Sequence, residues 1–159
     1  MALGANVKEI NVFVDGIGFL GLCESFKEPV IKTKKIENPN GAVIDSGMLD
    51  KIEAEATLRS INRIYYTAMA QLHRAVFIFK ERITENSEDK TITHIIVGSF
   101  DLEPSESKFA SEKKYTLKIY PMQYAKEIDG IEAIFVDMEN YIARLNGIDI
   151  LEETRNAIL

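Results

Sequence analysis

Three glycines near the N-terminus have the spacing of a dinucleotide-binding loop. Gly16, Gly18 and Gly21 satisfy G-x-G-x-x-G after a β-like run. Glu37 lies about 20 residues further on, where such a fold places the acid that binds the ribose. Taken alone, the motif at 16–21 favours a small nucleotide-binding protein.

The residues after this motif argue against that interpretation. A helix that opened in the loop would end at Pro29 after about two turns, and Gly21 would weaken it by roughly 1 kcal/mol relative to Ala. The next segment, 30–37, reads VIKTKKIE and carries three lysines, whereas a buried parallel strand is almost continuously apolar. The surroundings therefore do not supply the strand–helix–strand unit that the chemistry needs.

A β-hairpin explains the same glycines better. Residues 10–15 alternate apolar and polar side chains, and Asp15-Gly16 is a typical two-residue turn. Residues 17–26 would then return as an antiparallel strand in which glycine allows twist or a bulge. We therefore predict a structural turn at Asp15 and Gly16 and no dinucleotide cofactor.

Other reactive residue types form no recognisable site. The two histidines, His73 and His94, are far apart, and neither belongs to a metal-binding motif. Cys23 is the single cysteine, which excludes an internal disulfide and a multi-cysteine zinc site. The nucleophile motif G-x-S-x-G is absent, because Gly98-Ser99 leads into a Phe-Asp pair. We expect no catalytic residue, no metal and no cofactor.

Length and charge bear on the number of domains and on the class of protein. The 159 residues predict a single domain over 1–159. Acidic residues number 25 against 19 Lys and Arg, for a net charge of −6, which disfavours a protein that grips a nucleic-acid backbone. The N-terminus lacks a signal-peptide core, and no long uncharged apolar run predicts a membrane anchor. We expect a protein that is cytosolic when made.

Most of the chain has the pattern of antiparallel strands. The runs 75–84, 90–102 and 114–128 are rich in β-branched and aromatic residues, and the charged stretches 86–90 and 103–114 read as linkers. Residues 52–60 alternate so that one face is polar. That face carries Glu53, Glu55, Thr57 and Arg59. Asp129-Gly130 predicts a second tight hairpin turn.

Two segments have helical patterns. In 62–73, apolar residues recur at i, i+3, i+4 and i+7, with Ser60 or Asn62 as the cap. In 149–158, Asp149 and Glu152 resemble a capping box. The sequence therefore predicts a mainly β (α+β) fold in which most of the chain forms strands and two segments are helical.

Four stretches together resemble one known family. They are INVFVDGIGFLG (10–21), TKKIENPNG (33–41), the run into IEAEATL (52–58) and the C-terminal FVDMENYIARLNGIDILEETRNAIL (135–159). In the last, the Val-Asp, Asn-Gly-Ile-Asp and Leu-Glu-x-x-Arg-x-x-Ile-Leu elements keep the family's order and spacing. Over nearly its whole length the chain resembles the major tail tube protein of contractile-tailed phages and of R-type tailocins.

The resemblance implies a structural role and a fold of the tail-tube type, which is an antiparallel β-sandwich or barrel with one flanking helix and a short C-terminal helix. Such subunits form hexameric rings that stack into the inner tube, which conducts DNA and is driven through an envelope. Implied partners are further copies of the chain, the tail sheath, tape measure and baseplate proteins, and DNA that passes without specific binding. The implied location is the virion tail or tailocin particle, assembled in the host cytoplasm. A type VI secretion-like tube and, less favoured, the nucleotide-binding protein remain alternatives.

The resemblance also suggests roles for particular segments. Residues 31–51 would protrude and contact the next ring through Lys32, Lys34, Lys35, Asn38 and Asn40; a solvated edge strand protected by lysine is the alternative. The polar face of 52–60 would line the lumen, or else lie on the outside of the tube. Leu151 and Ile158, on one face of the C-terminal helix, would pack on the barrel or on a neighbouring subunit.

Overall fold

A computed structural model describes residues 4–20 and 22–158 of the chain. Gly21, the third glycine of the G-x-G-x-x-G motif, lies outside the described residues, as does the side chain of His73. Of the helices that the model describes, none is both long and apolar enough to cross a membrane.

The described residues form strands for most of their length, with two short α-helices. The strands are β1 (Asn6–Val14), β2 (Ile17–Leu20), β3 (Cys23–Lys27), β4 (Thr33–Glu37), β5 (Val43–Leu49), β6 (Ala54–Leu58), β7 (Ala75–Glu85), β8 (Glu88–Pro104), β9 (Tyr115–Ile128), β10 (Ile131–Asp137), β11 (Ile142–Leu145) and β12 (Ile148–Asp149). The helices are α1 (Arg63–Ala70) and α2 (Glu152–Ile158), and a 3₁₀ turn spans Leu72–Arg74.

Ten of these strands form one antiparallel sheet that curls around a core. Its main order is β12-β11-β10-β9-β8-β7-β1-β2, while β6 pairs with both β9 and β3. β3 thereby returns beside the first half of β1, where the two strands line a shared groove. β4 and β5 form a separate two-stranded sheet. The predicted fold class, mainly antiparallel β with few helices, is confirmed.

Strand β9 changes partner halfway along its length. Its first half pairs with β6 up to Ile119, and its second half pairs with β10 from Gln123, while β8 runs along the other side throughout. The change occurs at Pro121, which has no N–H to donate, opposite a register shift at Gly98 in β8. A Cβ at Gly98 would overlap the carbonyl oxygen of Tyr120, so only glycine fits this bend.

The core lies inside the curled sheet and is closed by α1. Aromatic rings dominate it: Phe26 stacks on Phe79 at 4.1 Å between centroids, and Phe77 meets Phe100 edge-on at 4.8 Å. A second, smaller cluster joins the C-terminal segment to the start of β6. It comprises Ile52, Val136, Ala143 and Leu151. These apolar clusters supply most of the driving force for folding.

Helix α1 is shorter than its pattern predicts. Asn62 caps it, since its side-chain oxygen accepts a hydrogen bond from the N–H of Ile64 at 3.2 Å. The predicted end at residue 73 is wrong: the helix ends at Ala70, and Leu72 adopts a positive φ of 59° with its side chain 68% exposed. The apolar residue that extended the helical pattern therefore faces solvent.

Two other predicted segments are corrected. Residues 17–26 are not one returning strand: β2 pairs with β1, and the chain then crosses so that β3 pairs with β6. The predicted linker 86–90 is only a two-residue turn, because β7 and β8 continue to Glu85 and from Glu88, and Asn86 and Ser87 take positive φ values. Strand propensity in the charged stretch 86–90 is weak, and its structure is decided by the long pairing of β7 with β8, which continues to Glu85 and Glu88.

Candidate assembly surfaces

The β4–β5 hairpin carries the residues that the sequence assigns to a protruding loop. Its tip is folded by the backbone: the N–H of Asn38 donates to Ala42 O at 2.8 Å, and that of Gly41 donates to Asn38 O at 2.9 Å. The side chain of Asn40 accepts from the N–H of Ala42 at 3.0 Å. Asn38 therefore shapes the turn through its backbone, and Asn40 does so through its side-chain oxygen.

One of the three lysines is already paired within this hairpin. The ammonium of Lys35 donates to Asp45 Oδ2 at 2.8 Å, and the hydroxyl of Thr33 donates to the same oxygen at 2.6 Å. Hydrogen bonds from Lys35, Thr33 and the N–H of Gly47 hold the pKa of the Asp45 carboxyl well below its usual range. Lys32 and Lys34 are exposed. They are the lysines of the predicted set that are available to a partner.

The hairpin also exposes apolar side chains that the sequence interpretation overlooked. Ile36, Val43, Ile44 and Met48 are each about half exposed or more. Ile36 and Ile44 are cross-strand partners, so their side chains form one apolar patch. The sequence pattern does not reveal this patch, because its residues lie on two strands and meet only through the cross-strand register.

The polar face of 52–60 is exposed but not acidic overall. Glu53, Glu55 and Arg59 are exposed, and Glu53 pairs with Lys51 at 2.8 Å, which lowers the pKa of its carboxyl. Glu55 lies in a row across four strands whose charges alternate. In order, the row is Lys27, Glu55, Lys118 and Asp101. The face is therefore balanced in charge.

Two strand edges, one in β1 and one in β3, have no neighbouring strand among the described residues. β2 covers β1 only from Asn11 onward, which leaves the edge of Asn6–Ile10 open. β3 pairs with β6 on its other side, so its edge facing β1 is open too. Between the two edges runs a groove of about 570 Å³. Unpaired N–H and C=O groups in such an edge form a template for another strand.

The first two glycines of the nucleotide-like motif, Gly16 and Gly18, have structural roles. Asp15 and Gly16 turn the chain with φ values of 47° and 87°, and Asp15 Oδ1 accepts from the N–H of Val76 at 3.1 Å. A Cβ on Gly18 would come within 2.9 Å of the Phe13 ring. The two glycines therefore serve a turn and a close contact.

The second predicted turn has the same construction as the first. Asp129 and Gly130 have φ values of 51° and 80°. Asp129 Oδ1 accepts from the N–H of Thr91 at 2.9 Å, and its own N–H donates to Thr91 O at 2.8 Å. Each turn is thus fastened to an adjacent strand by its aspartate.

The C-terminal segment is held by Leu151 and Asp149. Leu151 is 6% exposed, whereas Ile158 is 57% exposed and does not pack on the barrel of its own chain. Asp149 accepts from Arg155 Nη1 at 2.7 Å and from the N–H of Leu151 at 3.0 Å. Burial raises the pKa of the Asp149 carboxyl, but hydrogen bonds from these donors and from the Ala143 N–H outweigh it, so the pKa is lowered overall.

A buried polar network occupies one part of the core. Nε2 of His94 lies 2.8 Å from Glu81 Oε2, and Nδ1 lies 2.8 Å from the hydroxyl of Tyr124. Burial first, and then the nearby carboxylates of Glu28 and Glu81, raise the pKa of the Tyr124 hydroxyl well above its usual range. The histidine is 0% exposed. The sequence does not predict this network, because Glu81, His94 and Tyr124 lie far apart along the chain, on separate strands.

Among the described residues, this network is the arrangement of titratable groups that most resembles a metal site. Ligand atoms of Glu28, Glu81 and His94 lie within 4.8 Å of one another. Each is already engaged, however, because Glu81 bonds to the imidazole and Glu28 pairs with Lys126 at 3.0 Å. The arrangement fits a satisfied structural network. Burial also raises the pKa of the Cys23 thiol to about 11, so this thiol is a poor nucleophile at neutral pH.

Comparison with known proteins covers almost the whole chain. Residues 5–158 match the model of a family described as phage tail tube protein FII. The tail tube protein of Escherichia phage P2 is similar to the chain, with 24% identity over 173 aligned positions that cover 99% of each protein.

Proposed function

Because the chain belongs to the phage tail tube protein FII family, we propose that it self-assembles into stacked hexameric rings. Membership makes it a structural subunit of a phage tail tube, as its sequence motifs predict. The finer proposal is that the rings form the inner tube of a contractile tail or tailocin, which conducts DNA and penetrates the envelope. The observation that best supports assembly is the pair of open strand edges in β1 and β3.

Contacts within a ring are proposed to use those edges. A strand from the neighbouring subunit that paired with the open edge of Asn6–Ile10 or of Cys23–Lys27 would satisfy the unpaired backbone groups of that edge. A ring requires two different surfaces to meet, so we propose that the pairing strand comes from another part of the neighbour. Such a head-to-tail contact closes a ring when the rotation allows it.

Contacts between rings are proposed to use the β4–β5 hairpin. Its exposed lysines, Lys32 and Lys34, would meet carboxylates of the next ring, while the patch of Ile36 and Ile44 would bury apolar area there. Exposed ion pairs contribute only about 0 to 1 kcal/mol each. The apolar patch therefore supplies much of the proposed stacking energy, and the lysines add register.

The lumen is proposed to include the polar face of β6. A row of alternating charges, such as Lys27, Glu55, Lys118 and Asp101, offers a polyanion no continuous basic surface. DNA would thus pass without specific binding. The opposite assignment, with this face on the outside of the tube, would place the same residues beside the sheath.

The proposed partners are further copies of the chain, the tail sheath, and tape measure and baseplate proteins. The proposed location is the virion tail or tailocin particle, after assembly in the host cytoplasm. We propose no enzymatic activity and no cofactor, because Gly16 and Gly18 of the motif already have structural roles and the buried histidine network is internally paired. A type VI secretion-like tube stays the main alternative, and genes for sheath, tape measure and capsid beside this one would exclude it.

Electron microscopy of the purified protein tests the proposal directly. Negative staining over a range of concentrations should show rings or tubes with a central channel and six-fold symmetry. A protein that stays monomeric at every concentration, including in the presence of sheath and baseplate proteins, would contradict self-assembly. Rings with a different symmetry would retain the tube and refute the hexamer.

A further inference from the structure

Phe109 is more exposed than any other large apolar side chain in the described residues. Its relative exposure is 102%, against 73% for the next, Ile131. It lies in the loop 105–114 that joins β8 to β9. Burial of a phenyl ring is favourable, so a ring that is fully exposed in the single chain can contribute to a contact between chains.

The loop that carries this ring has a defined shape. At its base, the N–H of Ser105 donates to Lys114 O at 2.8 Å, and the N–H of Lys114 donates to Ser105 Oγ at 3.0 Å. At its tip, the N–H of Ser111 donates to Lys108 O at 3.2 Å across the turn. The ring is therefore presented at the end of a closed loop, not left on an open linker.

A small apolar pocket lies elsewhere on the surface of the same chain. It sits between the end of β5, the turn after β10, and α2, and it measures about 150 Å³. Its lining residues are Met48, Leu49, Met138, Tyr141, Leu151 and Thr154. An apolar cavity of about this volume is large enough to bind benzene, so a phenylalanine ring can fill it.

We propose that Phe109 of one subunit inserts into this pocket of a second copy of the chain. The inference rests on the proposed self-assembly and identifies one of its contacts. Within one chain the ring is in solvent, so it does not occupy its own pocket. A projection that fits a pocket at a different place on an identical molecule makes a heterologous contact, which produces rings or extended stacks.

The charges around the ring and the pocket agree with this contact. Lys108 directly precedes the ring, and its exposed ammonium lies 3.8 Å from the carboxylate of Glu106 in the same loop, which is a loose surface pair. At the pocket, the exposed Glu139 follows Met138, and the exposed Glu153 precedes Thr154. When Phe109 is inserted, the ammonium of Lys108 would therefore lie near the carboxylates of Glu139 and Glu153, and this complementary charge helps to orient the loop at the pocket.

Disulfide trapping tests the proximity of the two sites. We expect a mixture of the variants Lys108→Cys and Thr154→Cys, both of which keep the Phe109 ring, to give disulfide-linked dimers on mild oxidation, and the double variant to give ladders. The matched control is Asn156→Cys, on the same helix but exposed and outside the pocket, which should cross-link at least tenfold less. Native Cys23 is 8% exposed and should not interfere. Equal yields from both pairs would overturn the proposal.

Assembly of substituted proteins provides the second test. Phe109→Ser should raise the protein concentration needed for tubes at least tenfold, while Phe109→Leu keeps most of the wild-type behaviour. Thr154→Phe should act like Phe109→Ser by filling the pocket, whereas Asn156→Phe should not. Unchanged circular dichroism and thermal unfolding would show that the monomers remain folded.

The outcomes separate this contact from the function on which it rests. If wild-type protein forms no rings or tubes, the proposed function fails. If wild-type protein assembles and Phe109→Ser assembles at the same concentration, the function stands and this contact is refuted. Normal tubes of Phe109→Ser that no longer bind sheath would likewise refute it, and would assign the ring to the sheath.

Discussion

Replacing Gly98 by alanine should destabilise the fold through a backbone collision. The new Cβ would overlap Tyr120 O and lie 3.0 Å from Tyr120 C and 3.1 Å from the Cα of Pro121. All three atoms belong to the backbone, so no side-chain rotation relieves the contact. Overpacking that forces backbone shifts costs about 1 to 3 kcal/mol, and we expect the upper end.

Thermal unfolding and urea unfolding, both followed by circular dichroism, measure this loss. For a chain of this length, each kcal/mol lowers Tm by roughly 2 to 4 °C, so the variant should melt about 6 to 12 °C below wild type. The matched control is Gly4→Ala, since a Cβ there meets nothing within 4 Å. If Gly98→Ala unfolds at the wild-type midpoint with an unchanged slope, the bend in β9 does not depend on this close approach. The variant should also assemble poorly, because β6 and β10 both take their position from β9.

Four further predictions follow from the turns, the hairpin and the C-terminal segment. Lys32→Glu combined with Lys34→Glu should leave the circular dichroism spectrum unchanged but shorten the tubes seen by electron microscopy. A loss of about 0 to 1 kcal/mol per ion pair recurs in every subunit of a ring, and wild-type tubes should shorten as salt rises; full-length variant tubes at low salt would assign stacking to the apolar patch. Gly16→Val should reduce soluble yield because φ is +87° there, and wild-type protein should show no NAD or ATP binding in calorimetry. Deleting 150–159 should give misfolded or unassembled protein, because it removes a buried leucine whose burial contributes about 1.5 to 3 kcal/mol; normal tubes from the truncated chain would refute this. Because the pKa of Asp149 is lowered by folding, its carboxylate stabilises the fold above the pKa of an unfolded aspartate, about 3.9, and this contribution is lost as pH falls below that value. The urea midpoint of Asp149→Asn should therefore depend less on pH below about 4 than that of wild type. An equal pH dependence would contradict the role of the hydrogen bonds to Asp149.

Local patterns in the sequence were enough to predict the fold class. The long β-branched runs became β7, β8 and β9, and Asn62 caps α1. What these patterns lack is information on pairing. The run 17–26 reads as one strand, but its two halves pair with different strands, and alternation of side chains does not reveal where a chain crosses between them.

The candidate assembly surfaces were only partly accessible from sequence. The lysines of 31–51 attract attention by their charge, yet Lys35 turns out to be paired with Asp45, ten residues away on the facing strand. The apolar patch of Ile36 and Ile44 depends on cross-strand register, and the pocket beside α2 combines three distant segments. Neither leaves a periodic signal, because contacts between distant segments are fixed by the tertiary fold.

The pairing inside the β4–β5 hairpin has a consequence for the kinetics of tube growth. Thr33 and Lys35 hold Asp45 across the two strands, so the hairpin has its shape before another ring is present. Ordering a flexible segment costs roughly 1 to 2 kcal/mol of backbone entropy per residue, and here that cost falls on monomer folding instead of docking. In the proposed stacking, each added ring would meet a preformed projection, and elongation would not wait for a loop to order.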